Sequence, residues 1–359
     1  MSVEFIWQLP TGGDGRHADA RVTRRGERAA GAGAPFGAHI SDPRGNRFNY
    51  FDYLHQIART ADLAGFDGIQ IRHDPDGDES WIIAGYVARS TRYVKLLTEF
   101  DAARGSAVYA AKNAASFQRF SGNRFAWQIG SGGSAEQRRR LGDFAAEAEL
   151  LPRIGEFIEV ARGVRGAEPF TYKGDYFEVL NGGFSGPLAS GAIPPVYLSD
   201  DLLAVAADSD VLRASARWAD VHVFDAAAPS ALTLRIDALR ELAAEYGRSV
   251  GTGLRIDVLA RETAAEAERD ARRYLEQTDI QRGAVDGLLW PDFATATTGA
   301  RGALVGSYDD VTDALAAYAA LGIGTFTLAA IPHLEEAYRV GEHLLPAVRA
   351  RITTATAAA

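Results

Sequence analysis

The sequence predicts an α/β fold, a single closed (β/α)8 TIM barrel domain with insertions that spans residues 1–359. The first observation behind this prediction is that eight short apolar segments alternate with longer segments of helical periodicity. Such strands between amphipathic helices are typical of a parallel sheet that is buried on both faces. The second is the chain length, which suits a barrel of eight units with insertions. The same alternation leaves a doubly wound open sheet as the alternative.

The predicted strands are short runs of mainly apolar residues, bounded by polar residues, glycine or proline. In chain order they are Val3–Leu9, Gly68–Ile71, Val94–Phe100, Phe125–Ile129, Pro195–Leu198, Val221–Phe224, Leu254–Leu259 and Thr325–Ala330.

The predicted helices have apolar residues at helical spacing, and Gly65 and Gly322 provide stop signals after two of them. In chain order they are Tyr50–Ala64, Ser80–Arg89, Ser106–Phe120, Leu151–Arg162, Val211–Trp218, Ser230–Tyr246, Asp309–Ala320 and Leu334–Leu345.

Three stretches exceed what a minimal barrel needs. Residues 17–49 form a long loop of Gly, Ala, Arg and Pro, and a loop of this length is usually functional or disordered. Residues 166–194 contain an alternating pattern about Gly174–Asp175 that predicts a hairpin. Residues 264–302 begin as a charged helix, Ala265–Gln277, and then lose their pattern, which predicts an insertion that acts as a lid.

Composition limits the classes of function. The chain has no cysteine, so disulfides, thiolate nucleophiles and cysteine metal sites are excluded. A net charge of −9 argues against a nucleic-acid partner. The chain shows neither an apolar run long enough for a bilayer nor a secretory leader, so we expect a cytoplasmic protein without a membrane partner. His73 and the acids that follow it lack a spacing diagnostic of a metal site.

Several motifs resemble those of the bacterial luciferase-like flavin monooxygenases. They are Phe5–Thr11 with Gly13–Gly15, Leu254–Thr263, and Gly302–Gly306 followed by the run Ile331–Glu342. The resemblance covers nearly the full chain, and within this family the chain is similar to the alkanesulfonate monooxygenases.

The resemblance implies a two-component chemistry. A separate flavin reductase supplies reduced FMN, the barrel binds it, and O2 provides the oxygen atom that is inserted into a small-molecule substrate. One candidate reaction is the cleavage of an alkanesulfonate to sulfite and an aldehyde. The resemblance also implies a homodimer. Two alternatives stay open: a deazaflavin-dependent oxidoreductase of the same fold, and a flavin-free barrel that serves as a binding or accessory protein.

The resemblance also implies three catalytic residues. Arg255 and Tyr338 match the arginine and tyrosine of the family motifs, and both could contact the reacting oxygen or an anionic substrate. Asp257 stands where the alkanesulfonate enzymes carry a histidine, and Thr297 replaces an arginine of the insertion. Because residues two apart in a strand share a face, Arg255 and Asp257 are predicted to pair, which would lower the affinity for an anion.

Cofactor contacts are expected at two strand ends. Gln128 and Ser131 lie at the end of the fourth strand and are predicted to contact the flavin ring. Ser199 follows the fifth strand, where the family has a Gly-Gly-Ser type turn whose amides hold the FMN phosphate. Here two acids, Asp200 and Asp201, come next, so residue support for the phosphate site is weaker. The loop Gly130–Ser134 resembles a phosphate loop but lacks its lysine.

Overall fold

The structure is a computed structural model that describes residues 3–11, 50–75, 77–103, 105–166, 168–189, 193–276 and 287–358. The predicted loop at residues 17–49 lies outside the described residues, as does part of the predicted insertion at residues 264–302.

The strands of the described residues fall into one large sheet and one hairpin. They are β1 (Glu4–Leu9), β2 (Gly68–Ile71), β3 (Lys95–Asp101), β4 (Phe125–Gly130), β5 (Phe170–Lys173), β6 (Glu178–Gly182), β7 (Val196–Ser199), β8 (Val221–Asp225), β9 (Gly251–Arg261), β10 (Ala303–Ser307) and β11 (Thr325–Ala329).

Helices connect these strands and cover the outside of the sheet. They are α1 (Tyr50–Leu63), α2 (Ser80–Ser90), α3 (Ala107–Ser121), α4 (Ala135–Arg140), α5 (Glu147–Gly163), α6 (Asp208–Trp218), α7 (Pro229–Glu245), α8 (Ala264–Leu275), α9 (Pro291–Thr297), α10 (Tyr308–Ala320), α11 (His333–Arg339) and α12 (Leu345–Ala358). One π-helical turn, Val340–Leu344, joins the last two, so the predicted final helix continues well past Leu345.

Eight parallel strands close into a barrel in the order β1, β2, β3, β4, β7, β8, β9 and β11, and β11 pairs with β1. This closure confirms the predicted (β/α)8 fold and excludes the open sheet. The hairpin predicted within residues 166–194 is also confirmed, because β5 and β6 are antiparallel neighbours.

A ninth strand, β10, was missed by the sequence analysis. The first part of β9 lies inside the barrel between β8 and β11, whereas its last residues run beyond the barrel and pair with β10, from Asp257 opposite Ala303 to Arg261 opposite Ser307. Five apolar or small residues carry too little periodicity to distinguish a strand from a loop. The stretch predicted to lack pattern likewise contains α9, whose Phe293 is buried against the sheet.

The barrel interior is layered because every second residue of a strand points inward. One layer is apolar and consists of Ile6, Leu97, Ala126, Tyr197 and Val223. The residues two positions further along the same strands are polar, and this second layer consists of Gln8, Glu99, Gln128, Ser199 and Asp225. The barrel is therefore sealed by apolar packing in the middle and lined with polar groups toward the carboxyl ends of its strands.

We expect Gly341→Ala to destabilise the protein by about 1–3 kcal/mol, because the added methyl group would overlap the Cβ of Ala64 and lie 2.8 Å from its carbonyl oxygen. The matched control is Gly85→Ala in α2, where no atom lies within 4 Å of the new methyl group. Alanine favours a helix over glycine, so this control should be neutral or stabilising by up to about 1 kcal/mol. Urea unfolding of both variants measures the difference, and equal effects would contradict the close helix packing.

Candidate functional site at the carboxyl end of the barrel

A chain of buried polar side chains crosses the barrel interior near the carboxyl ends of the strands. Gln70 on β2 donates a hydrogen bond of 2.7 Å to the side-chain oxygen of Gln128 on β4. Gln128 in turn donates to the carboxylate of Glu99 on β3, at 3.5 Å. The three residues are 2%, 2% and 7% exposed, so these contacts lie in the protein interior. Gln128, a predicted cofactor contact, is thus held inside a polar network.

Ion pairs extend this network to the opposite wall of the barrel. Arg72, directly after β2, lies 3.4 Å from the carboxylate of Glu99 and 3.7 Å from that of Asp201. Asp201 also pairs with Arg255 of β9, at 3.2 Å. One carboxylate therefore lies between two arginines that come from distant parts of the chain.

Arg255 was predicted to form an ion pair with Asp257, and this prediction was wrong. The two side chains share a face and interact electrostatically, but the ion pair of Arg255 is made with Asp201. Asp257 instead accepts hydrogen bonds from Thr298, at 2.5 Å, and from Thr297, at 3.4 Å. Both partners belong to residues 264–302, the stretch predicted as an insertion.

Burial shifts the pKa values of several carboxyl groups at this end of the barrel. Burial, reinforced by the charge of Asp201, raises the pKa of Glu99 to about 7, although Arg72 and Arg255 oppose the shift. Burial likewise raises the pKa of Asp257 to about 7, against the hydrogen bond from Thr298. These two groups can hold or release a proton near neutral pH, which is the range that general acid–base chemistry requires.

The turn after β7 is built on Asp200, whose side chain points into the protein. Burial alone would raise its pKa, but hydrogen bonds from Arg235 and His222 hold the pKa of Asp200 well below its ordinary value. Arg235 contacts both carboxylate oxygens, at 2.6 and 2.7 Å, and the backbone amide of Asp225 adds a bond of 2.9 Å. Asp200 is therefore a structural anion, and its neighbour Asp201 is the one that faces the arginines.

Ser215, His222 and Asp200 form a serine, histidine and aspartate relay, with distances of 2.8 and 3.1 Å. Such an arrangement is characteristic of nucleophilic hydrolases. Ser215 and His222 are both fully buried, however, so no substrate reaches the hydroxyl group. We assign this relay to the support of the β7 turn and not to hydrolysis.

Two adjoining clefts open above the network. They share one wall, which is formed by Arg72, His73 and Pro75. The larger has a volume of about 480 Å³ and the smaller about 340 Å³. Other residues of the larger cleft include Glu99, Ser131, Gly132, Gly133, Ser134, Arg138 and Asp201. Other residues of the smaller cleft include Gln8, Thr11, Thr297, Thr298 and His333.

The predicted site residues are distributed unevenly around these clefts. Ser131 lines the larger cleft. Arg255 is 6% exposed and does not line the cleft itself, but it pairs with Asp201, which does. Ser199 is 5% exposed and contacts the carboxylate of Asp201. Tyr338 is 52% exposed on α11, a helix that turns Glu336 toward the protein interior. The proposed contact of Tyr338 with a reacting oxygen stays a prediction.

Three further residues at this end of the barrel were not predicted as site residues: Arg72, Glu99 and His333. His333 is 3% exposed, lies edge-on to the ring of Trp7 and lines the smaller cleft. A sequence signal was available for each, since all three lie within or just after an apolar strand at its carboxyl end, where barrel enzymes place their functional groups.

Among the described residues that point into the barrel from its strands, three buried side-chain atoms have no hydrogen-bond partner. They are the side-chain oxygen of Gln70, Nε of Arg255 and the hydroxyl of Thr327, which lies opposite Arg255 in the pairing of β11 with β9. Buried polar groups are normally satisfied, so these atoms indicate that the polar layer is suited to contact a bound molecule. Among the described residues, no group of three or more His, Asp or Glu side chains is arranged to hold a metal ion.

Comparisons with known proteins agree with this architecture. Residues 26–325 match the family model described as luciferase-like monooxygenase. The fold is similar to that of a riboflavin lyase, with 16% identity and a TM-score of 0.72 over 98% of this chain and 92% of that one. It is similar as well to that of an EDTA monooxygenase from Chelativorans sp. BNC1, with 15% identity and a TM-score of 0.71 over 98% of this chain and 94% of that one.

The fold is also similar to that of a coenzyme F420 dependent tetrahydromethanopterin reductase from Methanopyrus kandleri, with 16% identity and a TM-score of 0.66 over 96% of this chain and 99% of that one. At these identities the three structures show a shared fold. A particular closeness to the alkanesulfonate enzymes is not shown.

We expect Glu99→Gln to gain stability relative to the wild type as the pH rises from about 4.5 to about 7. The folded-state pKa of Glu99 is raised from 4.5 to about 7, so the wild type binds a proton more tightly when folded and loses that stabilisation across this window. Urea unfolding at several pH values should show a change on the order of 1–3 kcal/mol. Glu241→Gln, at an exposed position of α7, is the control. A flat difference would contradict a buried, ionisable Glu99.

Asp200→Asn and Asp208→Asn remove two carboxylates that pair with the same arginine, Arg235. The Asp200 side chain is 1% exposed and that of Asp208 is 50% exposed. We expect Asp200→Asn to cost about 3–5 kcal/mol, because the buried carboxylate and its hydrogen bonds to Arg235, His222 and the backbone amide of Asp225 are lost together. Asp208→Asn should cost about 1 kcal/mol or less. Thermal or urea unfolding at neutral pH measures both, and similar costs would refute the structural role of Asp200.

Proposed function

The chain belongs to the luciferase-like monooxygenase family, and from that premise we propose that it is a reduced-flavin-dependent monooxygenase acting on a small organic substrate. The observation that carries this proposal is the polar network at the carboxyl end of the barrel, which lies beneath two adjoining clefts. Clefts of 300 to 1,000 Å³ are typical of cofactor and substrate sites.

The ring end of a flavin fits the residues present. A flavin ring carries alternating hydrogen-bond donors and acceptors along one edge, and the polar layer offers amide groups of Gln70 and Gln128 together with the unpartnered Nε of Arg255. Because these groups are buried, hydrogen bonds to them would be stronger than in water. FMN, supplied in reduced form, is therefore the cofactor that we propose.

The phosphate end does not fit the turn after β7, because Asp200 already fills its interior with a carboxylate bound to Arg235. The loop after β4 supports it better. Ser131 and the glycines that follow line the larger cleft, together with Arg138, which is 3% exposed and has an Nε without a partner. We propose that these residues hold the phosphate.

When bound, the reduced flavin supplies the electrons that activate O2. The chain's own residues bind, orient and shield. Arg72 and Arg255 share Asp201 as a counter-ion, and their guanidinium N–H groups lie at the mouth of the barrel, where they could donate hydrogen bonds to an oxygen that gains negative charge. Glu99, with its pKa near 7, can take up or release a proton beneath the larger cleft. The apolar layer below closes the barrel against water.

The substrate is the least constrained part of the proposal. The alkanesulfonate implied by the sequence resemblance would need a cation available to its sulfonate group. Arg255 is paired with Asp201, and Arg72 with Asp201 and Glu99. These pairs favour another small organic substrate. A separate flavin reductase, a homodimeric assembly and a cytoplasmic location belong to the same proposal. None of the helices in the described ranges combines the length and apolar character needed to cross a bilayer.

A deazaflavin-dependent oxidoreductase is the second candidate. It is supported by the similarity in fold to the F420 dependent reductase from Methanopyrus kandleri, which covers 96% of this chain. Such an enzyme would transfer a hydride and would not consume oxygen.

We expect an anaerobic titration with reduced FMN to quench tryptophan fluorescence saturably, and to bind more tightly than oxidised FMN. Trp7 and Trp127 lie in barrel strands β1 and β4 and should report a flavin above the polar layer. Arg255→Ala should reduce the preference for the reduced form, which carries negative charge near neutral pH. Arg301→Ala, at a side chain that is 71% exposed, is the control.

The outcomes of this titration separate the candidates. Saturable binding of reduced FMN, followed by oxygen-dependent product formation with a reductase and NADH, would support the monooxygenase. Binding of coenzyme F420 without FMN binding would favour the second candidate. Failure to bind either cofactor would refute both and leave the flavin-free barrel.

A further inference from the structure

The carboxylate of Asp201 lies between two guanidinium groups at the mouth of the barrel. Its Oδ1 is 3.2 Å from Nη1 of Arg255, and its Oδ2 is 3.7 Å from Nη2 of Arg72. Each oxygen thus faces one arginine, which is the arrangement that a bound sulfonate, carboxylate or phosphate would adopt in the same place.

We propose that Asp201 is an internal anion that occupies Arg72 and Arg255 and so restricts the site to substrates without a negative charge. This inference rests on the proposed function, since it names the substrate class of the same site. It assigns to Asp201 a role in substrate selection, alongside its part in holding the two arginines in place.

The position of Asp201 is fixed by the protein core. Its neighbour Asp200 is bound to Arg235 through both oxygens and to His222, and its side chain is 1% exposed. The hydroxyl of Ser199 also donates to Oδ2 of Asp201, at 3.4 Å. The carboxylate is therefore tethered beside the arginines, and an incoming anion could not displace it into solvent without disturbing the β7 turn.

Asp201 remains charged under ordinary conditions. Burial opposes its ionisation, but Arg72 and Arg255 hold its pKa below the usual value. The ion pair between Asp201 and Arg255 is largely shielded, because the side chains are 27% and 8% exposed. In such surroundings electrostatic interactions are screened less than in water, so the internal anion neutralises the arginines effectively.

Further carboxylates at the same end of the barrel add to the discrimination. Glu99 lies on β3, and Asp225 and Asp257 lie on the neighbouring strands β8 and β9. Arg301, a third arginine among the described residues of this region, is itself paired with Asp225 at 2.9 Å. Beside Arg72 and Arg255, an anionic substrate would meet these carboxylates while the two arginines stay paired, whereas an uncharged thioether, ketone or hydrocarbon would leave their ion pairs intact.

The test is a calorimetric titration of the purified, flavin-free protein with methanesulfonate, which measures the affinity for this anion. The wild type should bind this probe weakly or not at all. Asp201→Asn keeps the shape of the side chain but releases both arginines, so it should bind methanesulfonate at least about tenfold more tightly, as expected for a gained charge-assisted hydrogen bond. Thermal melting of each variant establishes that it is folded.

Two further variants distinguish release of the arginines from a general loss of negative charge. Asp225→Asn removes the same charge from the adjacent strand and leaves Asp201 between its arginines. It frees only Arg301, whose side chain is 71% exposed and therefore well hydrated, so it should show little gain. The double variant Asp201→Asn with Arg255→Ala should lose most of the gain. Equal gains in Asp201→Asn and Asp225→Asn, or no gain in folded Asp201→Asn, would overturn the proposal.

Tight methanesulfonate binding by the wild type would overturn it as well. Neither flavin nor oxygen enters this measurement, so its outcome is independent of whether the proposed flavin chemistry is correct.

Discussion

The closure of eight strands into a narrow barrel is the constraint on which the rest of the structure depends. Closure sends every second side chain of each strand into one shared interior, and this interior must be filled. In this protein the filling changes from apolar to polar within two residues along five of the eight strands, as from Ile6 to Gln8 or from Leu97 to Glu99. The apolar layer stabilises the barrel, and the polar layer is the floor of the site.

The ion pairs of the site follow from the same constraint. Arg72, Asp201 and Arg255 are far apart in sequence but leave the barrel on strands whose ends converge. Two adjacent aspartates then serve opposite purposes. Asp200 turns inward and is buried against Arg235 and His222, while Asp201 turns toward the mouth and sets the charge that a ligand meets. The two aspartates are the first residues of the 3-10 turn Asp200–Ala204 that follows β7, and consecutive residues of such a turn point in different directions.

Local sequence pattern predicted what depends on local structure. All eight barrel strands, the principal helices and the hairpin of β5 and β6 were recognisable from apolar periodicity and turn residues. The missed elements, β10 and α9, are short and owe their structure to packing against the rest of the protein, as shown by the buried Phe293. Periodicity over five to seven residues cannot identify such elements.

The candidate site was less predictable because its contacts are made between distant strands. Strand alternation correctly placed Arg255 and Asp257 on one face, but it could not reveal that Asp201 would reach Arg255 or that Thr298 would bind Asp257. Both partners arrive from other units of the barrel. Glu99 likewise seemed an ordinary charged residue in an apolar strand, and only its burial beside Arg72 gives it a proton affinity suited to chemistry.

The length of β9 has a consequence for how this barrel can be redesigned. The strand belongs to the barrel at Arg255 and to the outer ladder with β10 at Arg261, and Asp257, between them, takes its hydroxyl partner from the chain just before β10. Exchange of the insertion alone with that of a relative would separate this carboxylate from the hydroxyl that solvates it. The natural unit of recombination therefore runs from the middle of β9 through the end of β10, and a graft that respects it would transplant the wall of the site together with its cover.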